Sequence, residues 1–300
     1  MNTSEVKLRT FGRVCHLIVD DSDGQGAQLL SMCQAELTRL ESKFSSYLPD
    51  SITSRINQSA GTGSFTPLDT EARSLFQYID ALWSESNHQF DPTTRILQDC
   101  YDKKGGLLAS RSQLQGMLKL VGWRNIEIND DGAHMSNQGM LIDLNNCVRP
   151  YALDSVRKIL LNHGVSSAFI EMGRDATTIG KQPDGANWLV GARVPKGPRA
   201  AIFRLKLNNK GFAMRGNFEQ TVLRDGEHFG RALSPVDGHA IPGLLSVAVI
   251  GENCLTACSA ASVARLKTEA SGIKWLEKLG LPWMAVDRQF NCHGPLALTN

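Results

Sequence analysis

An α+β fold is predicted by the order of the periodic segments: a strand, a pair of helices, short strands, a helix, a run of strands and a late helix. Regular strand-helix alternation, the mark of a parallel sheet, is missing. Composition agrees, since 300 residues with 42% apolar and 21% charged side chains can bury a sizeable core. A third observation is the stretch from Trp188 to Met214, where apolar runs are punctuated by Pro, Gly and Asn as in successive strands.

Residues Lys7 to Asp20 alternate towards Val14, His16 and Ile18 and run into the Asp-Asp-Ser-Asp-Gly cluster, which predicts a strand and a turn. From Gln28 to Phe44, Leu29, Leu30, Cys33, Leu37, Leu40 and Phe44 recur at helical steps and form one apolar stripe. Leu68 to Trp83 repeats the pattern, and Asp69 and Glu71 stand where a helix dipole favours acid. A short helix is predicted at Gln113–Leu120, with strands at Asn125–Ile128 and Met140–Leu144. Ala152 to Asn162 is helical, stopped by His163-Gly164, and Ser167–Met172 is a buried strand. Trp188–Val194, Ala201–Leu207 and Gly211–Met214 are strands, and Thr256–Leu279 returns to helix.

Charge and composition exclude several classes. Lys and Arg number 32 against 30 Asp and Glu, a net charge of +2, so nothing global attracts nucleic acid. The best apolar run, Ala240 to Ile250, is interrupted by Pro242 and Gly243 and is far short of a bilayer span, so no membrane insertion is expected. The opening residues lack the pattern of a secretory leader, which gives a cytoplasmic expectation. Seven scattered cysteines read as reduced, and Cys254 and Cys258 lack the second pair or histidine of a zinc site. No phosphate-binding Gly-x-x-x-x-Gly-Lys loop, His-Glu-x-x-His or Gly-x-Ser-x-Gly motif occurs.

Several separated blocks carry more information. Tyr47, Ser51, Ser54 and Asn57 are spaced as Tyr-x-x-x-Ser-x-x-Ser-x-x-Asn, and Phe90-Asp91-Pro92-Thr93 follows. Ile142-Asp143-Leu144 leads through Asn145-Asn146 to Arg149-Pro150-Tyr151 and Asp154. Gly173-Arg174-Asp175 closes a strand, Trp188-Leu189-Val190-Gly191 opens another, and Leu233 to Gly238 forms a turn. Cys258-Ser259-Ala260-Ala261-Ser262 then begins the last helical stretch. In this order, from Phe11 to about Asp287, the blocks resemble the ApbE family, the FAD:protein FMN transferases.

The resemblance implies one domain over residues 1–300, built as a tandem T-fold of two intertwined halves with antiparallel sheets, packed helices and a flavin nucleotide between the halves. It implies cleavage of FAD, transfer of FMN to a Thr or Ser hydroxyl of an acceptor flavoprotein, and release of AMP. By position, Tyr47, Phe90, Asp91, Arg149, Asp154, Gly173 and Asp175 would contact the nucleotide. Asp237 and Arg231 would be catalytic, Arg231 standing where the family has histidine, and Cys258 and Ser262 would stand at the magnesium ligands, where the family has Asp and Thr. His228, three residues before Arg231, is the imidazole that a local shift would bring to that place.

Phosphoryl transfer rests on positioning and on charge at the phosphate oxygens, for which Mg2+ is the usual device. Cys258 and Ser262 keep helical i, i+4 spacing, but a thiol is a soft ligand, so weak Mg2+ binding is expected. Each residue also has a plainer reading. Cys258 and Ser262 fit as small buried helix residues, Tyr47 and Phe90 as packing aromatics, Asp91 as a helix cap, Gly173 as a turn, and Arg149-Pro150-Tyr151 as a helix start. Two functions are therefore open: a flavin transferase, or a catalytically silent relative that binds a flavin or nucleotide as an assembly scaffold.

Overall fold

The computed structural model describes residues 2–196 and 199–297. The chain opens with β1 (Thr3–Thr10) and β2 (Arg13–Asp20), followed by α1 (Gly26–Phe44), α2 (Ile52–Gln58), α3 (Thr70–Glu85), a 3-10 stretch over Pro92–Cys100 and α4 (Arg111–Leu118). The hairpin β3 (Ile126–Asn129) and β4 (Gly132–Met135) precedes α5 (Asn145–Asn162), β5 (Ala168–Met172) and β6 (Asp175–Ile179). A long hairpin, β7 (Trp188–Lys196) and β8 (Arg199–Leu207), then β9 (Gly211–Gly216) and a small hairpin, β10 (Val222–Arg224) and β11 (Glu227–Phe229), come next. The chain ends with β12 (Ser246–Gly251), α6 (Cys254–Arg265), α7 (Glu269–Leu279), β13 (Trp283–Val286) and β14 (Cys292–His293).

Eight strands form one antiparallel sheet in the order β1-β2-β5-β6-β9-β12-β13-β14. Alternation along each strand separates its two faces. Cys15, Leu17 and Val19 of β2 and Ile170 and Met172 of β5 pack with α1, α3 and α5, and Ala213, Val247, Val249 and Ala285 pack with α6 and α7. The intervening residues Phe169, Phe212, Met214, Ala248, Ile250 and Met284 face the opposite way and are covered by Trp188, Val190, Val194, Leu205 and Leu207 of the β7-β8 hairpin. The α+β class holds.

Local chemistry explains where the elements begin and end. Lys7–Asp20 is a hairpin and not one strand, because Phe11 and Gly12 both take positive φ (49° and 68°), as a two-residue turn requires. Asp69 accepts from the Ala72 N–H at 2.9 Å and starts α3, and Ser110 with Gln113 forms a reciprocal cap on α4. Thr256–Leu279 divides into α6 and α7, which cross closely enough that a Cβ on Gly272 would lie 2.5 Å from the Ala264 carbonyl.

Met140–Leu144 is not a strand. Asn57 takes both backbone groups of Ile142, its Oδ1 accepting from the N–H at 2.8 Å and its Nδ2 donating to the carbonyl at 3.1 Å, so this segment satisfies its amides from a side chain. Helix α5 then starts at Asn145, two turns before the apolar repeat, and contains Pro150. Asn57→Ala should remove both bonds and destabilise the protein by about 1–3 kcal/mol, read as a lower denaturant midpoint. Unchanged stability would mean that Asn57 does not hold this segment.

Candidate functional site

A cleft of about 600 Å³ opens at one end of the sheet, within the range of small-molecule sites. Its walls come from the start of β2, the residues before and within the 3-10 stretch, the first turns of α5, the β5-β6 turn, the end of β9, Arg231–Leu233 and the last turns of α6. Seven arginines line it against three aspartates, Asp91, Asp143 and Asp175, so the nearly neutral chain gathers a strong local positive charge here. Arg95 pairs with Asp99 and Arg215 with Asp175. Among the described residues no ion pair involves Arg13, Arg149, Arg174, Arg231 or Arg265.

Strand register builds the centre of the site. Asp175 on β6 lies opposite Ala213 on β9, and Arg215, two residues further along β9, shares their face, which looks towards α5 and α6. The Arg215 guanidinium grips Asp175 with two bonds, 2.5 Å to Oδ1 and 2.9 Å to Oδ2, with side chains only 16% and 5% exposed. Its Nη1 also donates to the Met214 carbonyl at 3.1 Å, and its Nη2 approaches the Cys258 Sγ at 2.6 Å. Burial opposes the charge on Arg215, but the adjacent Cys258 sulfur, once ionised, and the Asp175 carboxylate more than reverse this and raise its pKa.

Cys258 is a neutral thiol in this setting. Burial pushes its pKa up to about 11. Its S–H donates to the Asn146 carbonyl at 3.2 Å. That carbonyl is free because Pro150, four residues on in α5, has no N–H to give it. Ser262 lies on the cleft wall, its Oγ 3.9 Å from the sulfur.

These residues do not fit a magnesium ion. One prospective ligand is a protonated thiol, both oxygens of the adjacent carboxylate are bound to a guanidinium, and that guanidinium lies against the thiol. Among the described residues no group of three or more His, Cys, Asp and Glu side chains could hold a metal.

The remaining arginines are strained electrostatically. Burial and the nearby Arg13 charge lower the pKa of both Arg149 and Arg174, and burial with Arg215 and Arg174 lowers that of Arg265 to about 10. Arg149 Nη2 donates to the Phe11 carbonyl at 3.2 Å, and among the described residues neither its buried Nε nor that of Arg215 has a hydrogen-bond partner. Arg174 donates to the Gly216 carbonyl. Gly216 has φ of +83°, and a Cβ there would lie 2.5 Å from Arg265 Nε, so glycine is needed for both the turn and the arginine.

The sequence-derived residues divide. Phe90, Asp91, Arg149, Gly173, Asp175, Arg231 and Ser262 line the cleft. Asp91 also accepts from Thr93 N–H at 2.8 Å and Trp123 N–H at 2.9 Å, and Gly173, φ +67°, makes the β5-β6 turn. Tyr47 is 72% exposed on the chain after α1, and Cys258 lies behind the cleft wall; neither is among its lining residues. Asp154 lies outside too, accepting from the Cys254 and Leu255 N–H groups at 2.8 Å each and so tying α5 to the start of α6. Asp237 is exposed in a turn and lines a smaller neighbouring cavity. His228 does not shift into the cleft: it bonds Thr221 at 2.8 Å and packs edge-on to Phe290. Sequence reasoning missed Arg13, Arg215 and Arg265, which sit in no local motif and meet only through sheet register and helix packing.

A family model described as the ApbE family matches residues 7–284. The FAD:protein FMN transferase of Chlamydia muridarum (strain MoPn / Nigg) is 25% identical over 244 residues, 78% of this chain and 75% of that protein. The FAD:protein FMN transferase of Haemophilus influenzae is 23% identical over 235 residues, 75% of this chain and 68% of that protein. The apo crystal structure of the flavinyl transferase ApbE of Pseudomonas stutzeri superposes with a TM-score of 0.84 at 24% identity, covering 98% of this chain and 94% of its own. An ApbE protein of Thermotoga maritima gives 0.81 at 23% identity over 98% and 97%.

Asp154 offers a pH test of this architecture. Burial raises its pKa to about 6 despite the two N–H bonds. An acid whose folded pKa exceeds its unfolded value binds more protons when folded, so its contribution falls as pH climbs through the interval from about 4 to about 6. Relative to Asp154→Ala, the wild-type protein should lose ~3 kcal/mol of denaturant stability across that interval. A difference between the two that stays flat with pH would contradict this placement.

Proposed function

Because the chain belongs to the ApbE family, we propose that its cleft binds FAD by the diphosphate and transfers FMN to a Thr or Ser hydroxyl of an acceptor flavoprotein, releasing AMP. The observation that carries this reading is the set of five cleft arginines, Arg13, Arg149, Arg174, Arg231 and Arg265, that pair with no carboxylate among the described residues, beside the first turns of an 18-residue helix, α5. Arginine forks and helix N-termini are both suited to phosphate oxygens. Phe90 and Leu233 supply apolar surface in the same cleft for a ring system.

In the transfer step the acceptor Oγ bonds to the FMN phosphorus, the bond from that phosphorus to the bridging oxygen breaks, and AMP leaves with that oxygen. The hydroxyl proton goes to a base. Asp175 has both oxygens on Arg215, and Asp91 is bound to Thr93 and Trp123. Asp143 binds the Asn145 N–H through Oδ1 at 2.9 Å, and its Oδ2 has no hydrogen-bond partner among the described residues, so Asp143 is assigned as the proton acceptor. All seven cysteines are free and six are buried, which supports a reducing, cytoplasmic setting.

A second reading rests on Arg231, which stands on the cleft wall where the resemblance places histidine. It makes the protein a flavin-nucleotide scaffold without turnover. Chromatographic detection of AMP after incubation with FAD and an acceptor flavoprotein separates the two. The transferase releases AMP, and Asp143→Asn should slow release about 100-fold while FAD affinity is unchanged. Saturable FAD binding with no AMP in the wild type would favour the scaffold, and an Asp143→Asn rate equal to wild type would remove Asp143 from the chemistry.

A further inference from the structure

The centre of the cleft is closed to a divalent cation by side chains that satisfy one another. Arg215 binds Asp175 through two bonds and touches Cys258, and Cys258 gives its proton to the Asn146 carbonyl left free by Pro150. Around that plug stand Arg149, Arg174 and Arg265, cationic, lining the cleft and paired to no carboxylate among the described residues. We propose that this arginine cluster takes the place of a divalent cation, so that the site binds a diphosphate without metal. The inference rests on the flavin-nucleotide reading for the identity of the ligand, but not for its charge.

Each part has a defined role. Arg215 neutralises Asp175, which would otherwise repel a phosphate, and lies against the Cys258 sulfur. Arg149, Arg174 and Arg265 provide the charge and the N–H donors that the diphosphate oxygens require. The repulsion that Arg13, Arg215 and Arg174 exert within this arginine cluster is relieved when an anion of two or more charges enters, so ligand and protein stabilise each other.

The test is calorimetric titration of the full chain, freed of metal with EDTA and desalted, with FAD and separately with inorganic pyrophosphate, each with and without millimolar MgCl2. Both anions should bind in the absence of metal, and Mg2+ should change either affinity by less than about threefold. Arg174→Ala and Arg265→Ala should each weaken pyrophosphate binding by about tenfold, with no rescue by Mg2+. The triple variant Arg215→Ala, Cys258→Asp, Ser262→Thr, which supplies oxygen ligands and removes the plug, should become Mg2+-dependent. Arg174 is exposed, so its variant keeps the test open if the buried substitutions do not fold.

Tightening of wild-type binding by about tenfold or more on adding Mg2+ would overturn the inference and leave the flavin reading standing. So would unaltered pyrophosphate affinity in the Arg174 and Arg265 variants. Metal-free binding of pyrophosphate without FAD would sink the flavin reading and keep the inference. Failure of both anions to bind would end both.

Discussion

The Arg215–Asp175 ion pair is the constraint around which the end of the sheet is arranged. It lies between β6, β9 and α6, with side chains largely withdrawn from water. Removing one member of such a buried pair costs about 3–5 kcal/mol, because the other charge is left uncompensated. Asp175 holds the fork, and the Cys258 thiol fills the remaining Nη2 contact. Arginine suits this place because its planar fork meets both carboxylate oxygens, a geometry that lysine cannot match.

The same pair connects fold to chemistry. Its strands sit in the middle of the eight-stranded sheet, and α6 approaches them on a face of Ala257, Cys258, Ala260, Ala261 and Ala264. Asp154 fixes the start of α6 to α5, whose first turn forms another wall of the cleft. The proline in α5, which breaks the helical ladder locally, finds its compensation in the thiol of α6. Pro150, Cys258 and Arg215 therefore belong to one arrangement, in which the thiol at position 258 is met by a cation supplied from β9.

Much of this was legible in the sequence, for identifiable reasons. Amphipathic helices such as α1 and α3 advertise a buried stripe, and family-like blocks place Phe90, Asp91, Arg149, Gly173, Asp175, Arg231 and Ser262 on one cleft. Strands covered on both faces, β12 above all, have no alternation to read. Met140–Leu144 has the apolar content of a strand, yet its amides go to Asn57, more than eighty residues earlier in the chain. Arg215 was illegible because a single arginine in a strand acquires meaning only from Asp175 across the sheet and Cys258 on a helix. The proline at 150 and the thiol at 258 were visible, but that they answer each other is a tertiary fact.

The most direct measurement is a crystal structure of the protein soaked with FAD and Mn2+, with anomalous scattering collected to locate manganese. The account predicts the diphosphate on Arg149, Arg174 and Arg265, Arg215 still on Asp175, and no manganese beside Asp175, Cys258 or Ser262. A manganese ion bound among those three side chains, with Arg215 displaced into solvent, would contradict it.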